Sequence, residues 1–190
     1  MQIRHKNREI YFREQTECTQ KYVIPYIEQV LCIKSNLRVL EIGCGEGGNL
    51  KPFLDIGCHC VGIDIDAAQL EKAKAFFANH SLNKNLRLIA NDIYKVSPNE
   101  IGNFDLIILR DVIEHLPNQE LFMHQLKCFM HSESVVFFGF PVWCNPFGGH
   151  QQICRNKWLS HTPWLHLLPN RLYKKALQLG GESASTIKAL

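Results

Sequence analysis

Apolar and polar residues alternate along this chain with two periods, and the switches between them outline its elements. From residue 8 to about 33, charged residues interleave with Tyr11, Phe12, Cys18, Tyr22, Val23, Tyr26, Ile27 and Val30 at helical spacing. The spacing predicts a helix there, kinked or broken at Pro25. "LRVLEI" (37–42) is short and almost wholly apolar, the composition of a strand buried on both faces of a parallel sheet. A glycine-rich loop follows. Asn49 is placed to cap the next helix, which carries Pro52 in its first turn and stops at Gly57. "CHCVGID" (58–64) reads as a second strand, and Asp66 with Gln69 opens the amphipathic helix "AAQLEKAKAFFANH".

The rhythm continues through "LRLIAND" as strand three, "FDLIILR" as strand four, the helix "NQELFMHQLKCFM" and "SVVFFGF" as strand five. Strands and helices in this rhythm predict an α/β, doubly wound, Rossmann-like parallel sheet with right-handed crossovers. The division expected is an N-terminal helical segment (1–36), a Rossmann-like core (37–140) and a C-terminal lid or substrate region (141–190), all in one domain. After strand five come a long loop, a helix near "PNRLYKKALQLGG" and then "ESASTIKAL". No strand-like pair remains there, so the sheet is expected to lack a C-terminal strand 6/7 hairpin, as in a truncated chain. Strand five would then be an apolar edge.

Composition changes this picture little. The 190 residues are 46% hydrophobic and 21% charged, with a formal net charge of +3. They contain no Lys/Arg run that would track phosphates, so nucleic acid is not indicated as a partner. The charged start "MQIRHKNREIYFREQ" has no apolar signal region, and no apolar run is long enough for a membrane span. A cytoplasmic setting is expected, in which the eight cysteines are free thiols. Cys144, His150 and Cys154 share a loop, but no C-x-x-C pair or second histidine at ligand spacing completes a zinc set, so no metal is expected.

Chemistry concentrates at the strand ends, where open α/β sheets bind their ligands. Gly43, Gly45 and Gly48 fit the dinucleotide pattern G-x-G-x-x-G, while Glu41, Gly43, Gly45 and Gly47 fit E-x-G-x-G-x-G. The carboxylates decide between them. Glu41, Asp64, Asp92 and Asp111 all fall at ends of neighbouring strands. A pyrophosphate would meet like charge in that crevice. S-adenosylmethionine (SAM) has no phosphate. Its ammonium, sulfonium, ribose diol and adenine amino group all suit acidic partners.

"VLEIGCGEGG", "VGIDID", "LIANDI" and "FDLIILRDVIEHL", in that order, resemble the motifs of class I SAM-dependent methyltransferases. Within that superfamily the chain is similar to the bacterial small-molecule group of the ubiquinone/menaquinone-biosynthesis type (methyltransferase type 11). The resemblance covers Val39 to Leu116, and Asp64 lies 21 positions after Gly43, as a β-α-β unit requires. It implies SAM as cofactor and a small-molecule methyl acceptor. Gly43, Gly45 and Gly47 would let the backbone approach the methionine and ribose, with Glu41 toward the ammonium. Asp64 would hold the ribose hydroxyls and Ile65 one adenine face. Asp92 would take the adenine amino group with Ile93 packed nearby. The Arg110 backbone would lie near the methionine, although an arginine departs from the small or polar residue usual there.

Each assignment has a structural rival. Asp64 can serve as a helix cap, Asp92 as a turn residue, and His115 as a support for the loop after strand four. Methyl transfer is an in-line displacement that needs positioning above all, with a base only for an acceptor that must lose a proton. The acceptor expected is oxygen, or an activated carbon or amine. In "FPVWCNPFGGHQQICRNKWLSHTPWLHLLP" (140–169), Trp143, Phe147 and Trp164 are candidates to wall the acceptor pocket. His150, after two glycines, is the candidate base. Two other functions stay open: a SAM-binding protein without turnover, and an NAD-dependent oxidoreductase.

Overall fold

The computed structural model of the protein describes residues 7–147 and 151–189. Its described residues divide into two compact units, one up to Phe140 and one from Pro141 onward.

In the first unit, five parallel strands form one sheet in the order β3-β2-β1-β4-β5. They are β1 (Arg38–Ile42), β2 (His59–Asp64), β3 (Leu86–Ala90), β4 (Phe104–Arg110) and β5 (Met130–Gly139). The strand order reverses between β1 and β4, so the crevice expected of such a sheet opens there. Register pairs Glu41 with Gly62 of β2 and Ile108 of β4. β5 begins four residues before the apolar run that announces it, because polar His131–Glu133 continue the ladder past a register shift at Phe104/Leu106.

Strand parity sorts the side chains into two cores. Val39, Cys60, Leu106 and Ile108 face one side, against Val23, Ile27, Phe53 and Phe77. Leu40, Ile42, Val61, Ile63, Ile107 and Leu109 face the other, against Ile101, Phe122 and Phe129. Helices therefore cover both faces of the sheet, and the β strands carry nearly continuous apolar sequence for that reason. Glu41 shares the parity of Val39, which sends its carboxyl into the first core and not along the sheet toward the strand ends.

The N-terminal helix is shorter and more broken than its periodicity predicts. α1 (Arg8–Cys18) passes into a π-helical turn, Thr19–Val23, and then α2 (Ile24–Ile27). Pro25 sits in the first turn of α2 and has no N–H to return to the preceding turn, so the wider turn lies directly ahead of it. α3 (Lys51–Ile56) starts without a side-chain cap and closes on Gly57 in the left-handed region, φ 98°. Asn49 does not cap it, because its side chain is buried in another network described below. α4 (Ala67–Phe77) is capped as expected, by Asp66 accepting from Ala68 and Gln69 N–H. α5 (Pro98–Ile101) and α6 (Gln119–Lys127) complete this unit.

The second unit holds α7 (Lys157–His161), α8 (Asn170–Leu179) and α9 (Ala184–Ala189) around Cys154, Tyr173 and Leu177. "ESASTIKAL" is thus largely helical, and no strand occurs among the described residues beyond Gly139. All eight cysteines are free thiols, and burial pushes the Cys58 thiol up to about 11.

Phe122 is fully buried on the inner face of α6, whereas its neighbour Leu121 is half exposed. Phe122→Ala is expected to cost about 3–5 kcal/mol in denaturant unfolding. Leu121→Ala should stay within roughly 0.5 kcal/mol of the parent. Equal losses for the two would show that α6 does not pack by this face.

Candidate functional site

Two cavities open at the carboxyl ends of the strands in the first unit. One, of about 290 Å³, is lined by Ile63, Asp64, Ile65, Asp92, Ile93 and Val112, among others. The second, of about 230 Å³, lies over the glycine loop and is lined by Tyr11, Gln15, Gly45, Asn49, Arg110 and Asp111, among others. Gly43, Asp64 and Val112 belong to both walls, so the two form adjoining halves of one crevice. Together they fall in the range of roughly 300–1,000 Å³ typical of small-ligand sites.

The glycine loop owes its shape to left-handed backbone at alternate positions. Gly43, Gly45 and Gly47 have φ of 71°, 52° and 80°, while Gly48 does not enter that region. The three conformationally special glycines are those of E-x-G-x-G-x-G. At Gly43 a Cβ would also overlap a Val112 methyl, so a side chain there would force Val112 to shift where the two cavities meet.

Asp64, at the end of β2, fixes the loop. Its Oδ2 accepts from Gly45 N–H at 2.7 Å and its Oδ1 from Asp66 N–H at 2.8 Å. An ionised carboxylate has about four lone-pair sites, so both oxygens keep capacity for a diol. Asp92 caps the 3-10 turn Ile93–Lys95 through Oδ1, which accepts from Tyr94 N–H at 3.0 Å. Its Oδ2 accepts no hydrogen bond among the described residues. Ile93 is buried in the cavity wall, and Ile65 stands 77% exposed at its rim, as a residue awaiting an apolar partner would. His115 is exposed and lines the first cavity.

Glu41 lies beneath the loop and is not part of either cavity wall. Its Oε1 accepts from Asn49 Nδ2 at 2.7 Å, and its Oε2 has no partner among the described residues. Burial pushes its carboxyl up to about 8, against the opposing pull of the Asn49 hydrogen bond and the Arg110 charge. Asn49 Oδ1 in turn accepts from Thr19 Oγ1 at 2.9 Å and Arg110 Nη1 at 3.1 Å. Arg110 Nη2 also reaches Cys18 Sγ at 3.1 Å. The arginine side chain thus ties the end of β4 to the π-helical turn of the N-terminal segment.

That segment forms part of the site, which the sequence reading did not anticipate. Thr16 Oγ1 donates to the Gly48 carbonyl at 3.0 Å, Arg8 Nε donates to buried Glu46 at 2.6 Å, and Phe12 stacks on Phe76 at 4.4 Å. These contacts bring Tyr11 and Gln15, one helical turn apart, to the second cavity. Their i, i+4 spacing was the available signal. Asp111, held at φ 56°, Asn49 and Val112 are further lining residues that the motifs leave unassigned.

Trp143, Phe147 and Trp164 lie in the second unit. Trp143 packs edge-on to His166 at 4.9 Å, and His166 Nε2 bonds the Trp143 carbonyl at 2.6 Å. Trp164 Nε1 donates to the Cys144 carbonyl at 3.2 Å, and both tryptophans remain more than half exposed. Phe147 is partly buried. His150 lies outside the described residues, and among the described residues no cluster of three His, Cys, Asp or Glu side chains is placed to hold a metal.

Residues 12–179 match a family described as a methyltransferase domain. The chain belongs to that family, the class I SAM-dependent methyltransferases. It is 26% identical over 125 residues to a ubiquinone biosynthesis O-methyltransferase of Bartonella tribocorum, covering 60% of this chain and 49% of that one. The chain therefore spans about half the length of the curated relatives it matches. Among solved structures, a Methanococcus maripaludis protein described as an S-adenosyl-L-methionine-dependent methyltransferase superposes with a TM-score of 0.61 at 15% identity. That likeness covers 92% of this chain and 77% of the other. A SAM-dependent methyltransferase of Thiobacillus denitrificans in complex with S-adenosyl-L-homocysteine gives a TM-score of 0.51 at 19% identity, covering 60% and 46%. Both share the fold of the five-stranded sheet and its helices.

Two predictions arise from this geometry. Between pH 4.5 and about 8 the folded ligand-free protein retains a proton on Glu41 that the unfolded chain releases. Stability should therefore fall as pH rises through that window and level off above it. In Glu41→Gln, thermal melts from pH 5 to 9 should lose this component of the slope, and an unchanged profile would refute it. Asp64→Ala removes the loop tether and a carboxylate that lines the crevice, and should weaken SAM binding by about 2–3 kcal/mol in calorimetry. Binding equal to the parent's would exclude Asp64 from the cofactor site.

Proposed function

We propose that this chain transfers a methyl group from SAM to an oxygen of a small-molecule acceptor by in-line displacement. The observation that carries the cofactor side is the charge of the crevice. Among the described residues, Asp64 and Asp92 line the first cavity without a lysine or arginine, and Asp64 and Asp111 line the second with Arg110, while Glu46 there is paired with Arg8. Such walls oppose a dinucleotide pyrophosphate and suit a ligand bearing a sulfonium and an ammonium. In this reading Asp64 accepts from the ribose hydroxyls. Ile65 and Ile93 sandwich the adenine, and Asp92 Oδ2 accepts from its amino group. The backbone around Gly43 and Gly45 holds the methionine portion. SAM supplies the electrophilic methyl; the chain supplies orientation and a crevice that limits water.

Oxygen is favoured as acceptor by the name of the ubiquinone biosynthesis relatives, and by the absence of an Asn-Pro-Pro-Tyr-type motif after β4, where "LRDVIEHL" stands. A phenol or alcohol must lose a proton, so a base is required. His150 is proposed for that role on its sequence position, and Trp143, Phe147 and Trp164 as apolar partners of the acceptor.

Calorimetry against SAM, S-adenosylhomocysteine and NADH tests the cofactor: the first two should bind and NADH should not, and the reverse would sink the assignment. Methyl-release assays against phenolic acceptors then separate an enzyme from a silent binder. With an acceptor in hand, His150→Ala should keep SAM affinity and lose about 10²-fold or more in turnover. Normal turnover would leave positioning as the whole mechanism.

A further inference from the structure

Among the described residues, Arg110 is the cation lining the cavity over the glycine loop, and no carboxylate pairs with it directly. It ends β4 with the parity of Leu106 and Ile108, so its side chain turns toward the N-terminal segment. There each hydrogen bond of the guanidinium goes to a neutral group. Nη1 donates to Asn49 Oδ1 and Thr19 Oγ1, and Nη2 to Cys18 Sγ. No carboxylate lies within ion-pair distance of it among the described residues. Glu41, the acid whose charge it would offset, is raised by burial to about 8 and is largely protonated at neutral pH. A guanidinium carries five donors, so the three contacts leave capacity for a further acceptor.

A partly buried cation that lacks a counter-ion is costly unless a ligand supplies one. SAM contains one anionic group, the α-carboxylate of its amino-acid end. The cavity is formed by the loop that receives that end in the reading above. We propose that Arg110 is the carboxylate-binding residue of this site, pairing its guanidinium with the α-carboxylate of the bound cofactor. This rests on the SAM reading. It gives a purpose to an arginine where small or polar residues are usual. The planar fork suits a carboxylate better than an ammonium point charge does. Asn49, Thr19 and Cys18 orient the fork before the ligand arrives, so less side-chain freedom is lost on binding.

The test deletes the carboxylate from the ligand and the guanidinium from the protein. SAM and decarboxylated SAM, which keeps the sulfonium and the amine, are titrated into the parent, Arg110→Met and Arg110→Lys. The parent should bind SAM about tenfold to a hundredfold more tightly than the decarboxylated form. Arg110→Met should erase most of that ratio by weakening SAM, with the decarboxylated form little changed, and Arg110→Lys should restore part of it. An undiminished ratio in Arg110→Met would overturn the assignment, as would equal weakening of both ligands, which marks a structural role through Asn49. If the ratio survives while turnover falls selectively for acidic acceptors, the arginine reads the acceptor's carboxylate and the proposal is equally wrong. Failure of the parent to bind SAM at all would instead sink the underlying cofactor reading.

Discussion

A carboxyl buried one residue short of the end of β1 governs the arrangement above it. Strand parity sends Glu41 into the core between the sheet and the N-terminal segment, where water cannot reach it. Its first oxygen must find a donor inside the protein, and Asn49 provides it at 2.7 Å. That single bond removes Asn49 from helix capping and leaves α3 to start uncapped. The other end of the amide then gathers Thr19 and Arg110, one from the π-helical turn and one from β4. Loop, strand end and N-terminal segment are held by one shared amide.

The functional consequence is a crevice whose two halves differ in character. The half lined by Ile65, Ile93 and Val112 is largely apolar, with the carboxylates of Asp64 and Asp92 in its wall. The half over the glycine loop is polar and closed by Tyr11 and Gln15 from α1. Because α1 is anchored through Thr16 to Gly48 and through Arg8 to Glu46, it forms part of the crevice as much as the strand ends do. Gly48, the third glycine of the dinucleotide pattern, serves this packing: a Cβ there would lie 2.8 Å from the Phe12 carbonyl.

The second unit is built differently. Its core is small, and several of its buried groups are polar: Gln151, His166 and Glu182 each keep an unpartnered atom among the described residues. Trp143 and Trp164 are fixed by His166 and the Cys144 carbonyl yet remain substantially exposed.

Much of the sheet was legible in the sequence, because strands buried on both faces leave apolar runs bounded by glycine and acidic residues. β4 spans Phe104–Arg110 just as its run does, and the Asp66 cap follows from local chemistry alone. The loop glycines were also legible, since left-handed backbone admits few other residues. What the sequence could not decide was where side chains go once strands are paired. Parity between β1 and its neighbours buried Glu41, took Asn49 from its helix and turned Arg110 toward Cys18. The break of the N-terminal helix at the π-turn, and the arrival of Tyr11 and Gln15 at the glycine loop, likewise depend on contacts tens of residues apart in the chain. Local pattern determines elements and caps; a buried polar group finds its partner only in the folded protein.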